Sequence, residues 1–187
     1  MSELIPIELT LTEEEYVVLR ERGEKAGFKI LSDYIMSVLF DRPKKTNEPD
    51  IPYAYVDGSF NPKSSVYGYG GFLRHDGLKE ILQGSDNDEE MAHMRNVSGE
   101  ILGSMAAIRL AVELGLKELI IYYDYAGIEA WATGEWKRNN KYTKAYHEYV
   151  NSISDIIKLH FVKVKGHSGI DGNEEADILA KEAVGLI

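Results

Sequence analysis

The sequence predicts an α/β fold with a small, separate strand-helix-helix module at its N-terminus, and three observations predict it. Two short runs rich in aromatic and β-branched residues, Tyr53–Asp57 and Glu118–Asp124, read as buried strands, and each ends in an acid. Between them Ile101, Met105, Ile108 and Val112 recur at helical spacing, and Gly115 stops that helix just before the second run. A polar stretch punctuated by Pro43, Pro49 and Pro52 separates these elements from the first forty residues. The expected organisation is therefore a module over 1–40, a linker over 41–52 and a larger domain over 53–187.

Within the first segment Ile5, Ile7, Leu9 and Leu11 alternate with Pro6, Glu8 and Thr10, the period of a strand with one apolar face. Thr12 and Glu15 form a capping box for a helix ending near Gly27, and Ser32 is the expected cap of a second helix through Ile35, Val38 and Leu39. So short a segment cannot easily bury a core by itself.

In the larger domain, Tyr53–Val56 leads into Asp57-Gly58, an acid followed by a turn pair, so Asp57 is expected at the end of a strand. The run ending at Asp124 follows a helix, which makes it a parallel neighbour reached by a right-handed crossover. Sites in open α/β sheets form outside the carboxyl ends of parallel strands, and this would bring Asp57 and Asp124 together. Ser98 is the expected N-cap of the intervening helix, with Glu100 in its first turn. Near the C-terminus Asp171 with Glu174 makes a cap-like start, and Ala176, Leu179, Ala180 and Ala183 form a buried helical face beside which Asp177 lies.

Taken singly, each acid has a plainer reading: a turn for Asp57, a helix-dipole partner for Glu100, a strand terminator for Asp124, a solvated helix position for Asp177. Taken together, four convergent carboxylates repel one another unless cations neutralise them, so the set implies bound metal. All-oxygen ligands favour magnesium or manganese over zinc, and the chain contains no cysteine.

Four segments then carry a pattern: Tyr55-Val56-Asp57-Gly58-Ser59; Arg95-Asn96-Val97-Ser98-Gly99-Glu100; Tyr122-Tyr123-Asp124; and Lys165-Gly166-His167-Ser168-Gly169 followed by Asn173-Glu174-Glu175-Ala176-Asp177. In this order they closely resemble ribonuclease H of the HI type, over about residues 51 to 187. The resemblance implies a mixed five-stranded sheet with flanking helices and hydrolysis of the RNA strand of RNA/DNA hybrids. It implies two Mg2+ ions, with Mn2+ as the alternative, on Asp57, Glu100, Asp124 and Asp177, and 5′-phosphate and 3′-hydroxyl product ends. His167 matches the family's loop histidine, a group suited to relaying a proton or assisting product departure. Asn96 matches a position that contacts the hybrid, and Gly58 and Ser59 are expected beside it. Discrimination should rest on 2′-hydroxyl contacts and groove shape.

Some members carry a long basic helix and loop that grips substrate, whereas here the segment 131–144 is short. Four cations within it, Lys137, Arg138, Lys141 and Lys144, interleaved with Trp136 and Tyr142, are the expected phosphate and stacking contacts, the first three foremost, and Trp131 is expected in the core. The first forty residues resemble a ribbon-helix-helix module, in which two chains pair strands and interlock helices. That implies a homodimer through residues 1–40. Its outward set, Pro6, Glu8 and Thr10, suits DNA poorly, so avidity through dimerisation is the expected role; packing of the module on its own domain is the alternative.

The chain has 187 residues and a formal charge of −10, an unusual sign for a nucleic-acid enzyme. Two divalent ions would offset much of the excess in the larger domain, and binding should be salt-sensitive and dependent on metal. The acidic run 86–90 reads as a solvated loop that could also tune access to the site. With no cysteine, no signal-peptide pattern and no run near the roughly 20 apolar residues of a membrane span, a cytoplasmic protein without membrane contact is expected. The competing function is a DNA-binding regulator whose nuclease-like domain binds without cutting.

Overall fold

A three-stranded antiparallel meander opens the larger unit, because β1 (Tyr53–Asn61), β2 (Val66–His75) and β3 (Leu78–Asp86) follow one another through short turns. The β2–β3 turn is Asp76-Gly77, with φ of 47° and 76°, the left-handed pair that a two-residue hairpin of type I′ requires. The computed structural model describes residues 9–28, 31–40, 49, 51–165 and 171–187. It forms two compact units, residues 1–48 and 49–187.

After the meander come α3 (Glu89–Ala92), α4 (Asn96–Glu113), β4 (Glu118–Tyr123), α5 (Gly127–Thr133), α6 (Lys141–Ser152), β5 (Lys158–Lys163) and α7 (Asp171–Ala183). The sheet order is β3-β2-β1-β4-β5, with β4 parallel to both β1 and β5. This is the mixed five-stranded sheet with flanking helices expected from sequence.

Each face of the sheet has its own cover. Ala54 and Val56 of β1 and Leu119, Ile121 and Tyr123 of β4 are buried in one apolar core with Ile101, Ala107 and Ile108 of α4, Ile128 of α5 and Tyr146 of α6. Burying each large apolar side chain contributes roughly 1.5–3 kcal/mol, so this layer is the main hold on the sheet. On the other face Tyr55 stacks on Tyr122 with ring centroids 4.4 Å apart, and α7 lies over the meander.

Three local expectations are corrected. Asp57 is in the middle of β1, not at its end, because Asp57-Gly58 makes no turn: the strand runs on to Asn61, paired throughout with β2. Gly58 is there for a different reason, the approach of α4; a Cβ on it would lie 2.2 Å from the Asn96 carbonyl oxygen. What ends near Asp57 is the parallel β1–β4 ladder, whose last pair is Tyr55 with Tyr122. Ser98 is not an N-cap either. It lies inside α4, fully buried, and its hydroxyl donates to the Met91 carbonyl 2.5 Å away. The helix starts earlier because the N–H groups of Val97 and Ser98 bond back to Met94 and Arg95, which puts Glu100 beyond the first turn.

In the smaller unit, α1 (Glu13–Lys25) opens on the expected Thr12–Glu15 capping box, and Gly27 follows it in the left-handed region with φ 75°. Ser32 lies within α2 (Leu31–Phe40) and does not cap it. The strand expected over Ile5–Leu11 falls largely outside the described residues, and Leu9 to Thr12 have no strand structure. No helix among the described residues is long and apolar enough to cross a membrane.

Candidate active site

Three elements deliver carboxylates to one point. Asp57 comes from mid-β1, where it shares the α7-facing side with Tyr53 and Tyr55. Asp124 follows the last residue of β4, and Glu100 reaches in from α4. Ligand oxygens of the three lie within 4.8 Å of one another. The end of the β1–β4 ladder after Tyr55 and Tyr122 leaves the gap into which these groups turn.

Asp57 and Glu100 are 9% and 6% exposed. Burial pushes Asp57 up to about 7, with the Asp124 charge as the next cause; its own neighbour Gly58 donates an N–H to Oδ1 at 2.7 Å and pulls the other way. Glu100 is pushed up to about 9, by burial first and then by Asp124 and Asp57, against a backbone hydrogen bond from Tyr125. Two acids that resist ionisation first because they are buried and then because their neighbours are acids describe a pocket where negative charge outweighs positive among the described residues. All the donors are hard carboxylate oxygens, the set that suits a divalent cation of the magnesium type.

Asp177 stands beside this trio and does not complete it among the described residues. Its charge acts on Asp57, while its Oδ2 accepts a 2.6 Å hydrogen bond from the Lys181 ammonium one turn along α7. Among the described residues α7 runs from Asp171, the residue expected to cap it, and that side chain is not among those described. His167 lies outside the described residues, as does the rest of the loop 166–170.

The expected substrate contacts sit in different settings. Asn96 is exposed at the start of α4, one helical turn before Glu100. Gly58 is beneath α4, and Ser59 is buried. Lys137 and Arg138 line a cleft of about 410 Å³ with Asn139, Lys144 and His147. Arg138 spends two hydrogen bonds, 3.0 Å each, on the carbonyls of Gly134 and Trp136, so it closes the end of α5. Lys141 is ion-paired with Glu90, and Tyr142 donates to Asp88, which ties the acidic run to α6. Trp131 packs on the core, with the Tyr125 ring tilted against it and Trp136 in edge contact. The cleft includes Lys144, the fourth cation of that segment, and brings in His147, which sequence reading did not single out. The one signal for His147 was its spacing of three from Lys144 on α6, common on any solvated helix.

Comparison with known proteins fits this geometry. The RNase H family profile matches residues 51–185. A ribonuclease H of Bartonella tribocorum is 32% identical over 140 residues, covering 70% of this chain and 86% of its own. One from Francisella tularensis subsp. novicida is 33% identical over 144 residues, covering 70% and 89%. Among solved structures, RNase H1 of the halophilic archaeon Halobacterium salinarum has a TM-score of 0.56 at 22% identity, covering 73% of this chain and 98% of that one. LC11-RNase H1 in complex with an RNA/DNA hybrid scores 0.58 at 17% identity, covering 72% and 97%. At these identities the two structures speak for the fold.

Proposed function

Because this chain belongs to the RNase H family, we propose that it is an endonuclease that hydrolyses the RNA strand of RNA/DNA hybrids by a two-metal-ion mechanism. The observation that carries the reading is the meeting of Asp57, Glu100 and Asp124 within 4.8 Å in a pocket where negative charge outweighs positive among the described residues. A hybrid occupies a similar fold in the LC11-RNase H1 complex, which supports the choice of substrate.

The four carboxylates would hold Mg2+, with Mn2+ as the alternative: Asp57 central, Glu100 and Asp124 on one side, Asp177 on the other. Bound there, two such ions supply an activated water and charge neutralisation for the departing 3′ oxygen. The protein's part is placement. Asp57 is fixed by the β1–β2 ladder and the Gly58 N–H, and Glu100 by the close contact of α4 with Gly58. In-line displacement at phosphorus with loss of the 3′ oxygen leaves 5′-phosphate and 3′-hydroxyl ends.

Asn96, exposed beside the pocket, is assigned to the hybrid's minor groove, where an amide can both donate and accept. Lys137 is assigned to a backbone phosphate, with Arg138 and Lys141 in a lesser part because their donors are already engaged. His167 is assigned an auxiliary role in proton transfer or product departure, on the strength of its sequence motif. For residues 1–40 we propose pairing of two copies, each linked through 41–52 to a catalytic domain over 53–187. In its support Val17, Val18, Val38 and Leu39 are each 46% exposed or more.

The test is a panel of labelled substrates, the hybrid beside single-stranded RNA, duplex RNA and duplex DNA, with product ends read by their competence for ligation. Cutting confined to the hybrid's RNA strand, with ligatable 5′-phosphates, is expected. Equal cutting of duplex DNA, or 3′-phosphate ends, would overturn the reading.

A further inference from the structure

The four carboxylates do not share one electrostatic setting. Asp57, Glu100 and Asp124 form a close trio, the first two buried and Asp124 half-buried, whereas Asp177 already has a cation, the ammonium of Lys181 at 2.6 Å. The pair is only partly exposed, 23% for the Asp177 side chain and 39% for that of Lys181, so water screens it incompletely. Lys181 also reaches beyond its partner, since its charge is one of those acting on Asp57.

Placement of α7 makes this more than a helix-surface pair. Asp57 stands opposite Gly70 in the sheet, and the α7 backbone at Leu179–Ala180 rests directly on Gly70. Residues 177 and 181, one helical turn apart, stand on either side of that contact, so both side chains are presented near Asp57.

We propose that Lys181 is a positioning residue that serves as a built-in counter-ion for Asp177 and sets the affinity of the Asp57–Asp177 side of the site for a divalent cation. This deepens the function proposed above and rests on it. A charge-assisted hydrogen bond commits one Asp177 oxygen and part of its charge, so a divalent ion approaching Asp57 and Asp177 must displace the ammonium or sit beside it. Among the described residues no ammonium is hydrogen-bonded to the trio in this way, and the trio fills first. Lys181 has four methylenes and a partly exposed head, which lets it swing to water when displaced and hold Asp177 in place when it is not. The acids facing this ammonium are thereby given two classes of cation affinity by one side chain.

The test is a Mn2+ titration of the full chain at low ionic strength, with bound and free ion counted by electron paramagnetic resonance. It compares wild type, Lys181→Gln and Lys181→Arg. In Lys181→Gln the weaker-binding ion should tighten about three- to tenfold, the scale of a partly screened ion pair, and the tighter ion, which shares Asp57 but not Asp177, should tighten by clearly less. Lys181→Arg, which keeps the charge, should behave as wild type. Equal affinity for the weaker ion in wild type and Lys181→Gln, or tightening in Lys181→Arg as well, would overturn the inference. Hybrid cleavage by the wild type, run alongside, separates the two levels: cleavage with no effect of Lys181 removes this inference alone, whereas neither cleavage nor Mn2+ binding removes the proposed function with it.

Discussion

Asp57 stands directly opposite Gly70 in the β1–β2 ladder, and Gly70 is where α7 comes down on the sheet. A Cβ at position 70 would lie 2.0 Å from the Ala180 amide nitrogen, backbone that cannot step aside locally. One missing side chain on β2 thus sets how near Asp177 and Lys181 come to Asp57. Gly70→Ala should lift α7 and destabilise the larger unit by about 1–3 kcal/mol in urea unfolding, with loss of hybrid cleavage. An unchanged midpoint would show that α7 does not dock through this contact.

The raised carboxyls predict the pH dependence of the metal-free protein. Folded Asp57 and Glu100 keep protons up to about 7 and about 9, against ordinary values of 3.8 and 4.5. Between those limits the folded state binds more protons than the unfolded chain, so stability is greatest below about pH 4 as far as these groups decide it. It falls as pH rises, through about 7 for Asp57 and about 9 for Glu100. Mg2+ binding expels the same protons, so its stabilising effect should grow with pH. Urea midpoints at pH 5, 7 and 9, with Mg2+ or with a chelator, check this. Glu100→Gln should flatten the chelator curve between pH 7 and 9.

Lys137 and Lys144 line the cleft beside α6. If they meet backbone phosphates, replacing both by Ala weakens hybrid binding and lowers the slope of log affinity against log salt by about 1.5, since each contact releases most of one counterion. Fluorescence anisotropy over roughly 50 to 200 mM salt reads the slope. An unaltered slope would place the substrate elsewhere.

The exposed valines and leucine of α1 and α2 predict self-association. Light scattering should give about twice the 21.1 kDa chain mass, and Val38→Glu with Leu39→Glu should return the protein to one chain while single-site cleavage persists. A wild-type chain that is monomeric throughout the micromolar range would dismiss the pairing.

Much of the site was legible because strand and helix periods tell where side chains point. The acid closing Glu118–Asp124 does follow its strand, and the helical stripe through Ile101 and Ile108 does face the core. What was not legible depended on neighbours distant in sequence. Gly58 looked like half of a turn, but it is the patch of bare backbone on which α4 lies, a relation between residues some forty apart. Ser98 looked like a cap because local sequence does not reveal that its hydroxyl bonds Met91. Lys141 was expected on a phosphate, whereas Glu90 answers it across the fold. The β2–β3 hairpin is legible in principle, since Asp76-Gly77 is a strong turn signal.

The most direct test of the central claim is Mg2+-dependent cleavage of a labelled RNA/DNA hybrid by wild type and by Asp124→Asn, with circular dichroism to show that both are folded. The account predicts cutting that needs Mg2+ or Mn2+ and falls by at least about a thousandfold in the variant, a loss of roughly 4 kcal/mol of transition-state stabilisation. Cleavage that survives in folded Asp124→Asn, or its absence from folded wild type with either cation, would contradict it.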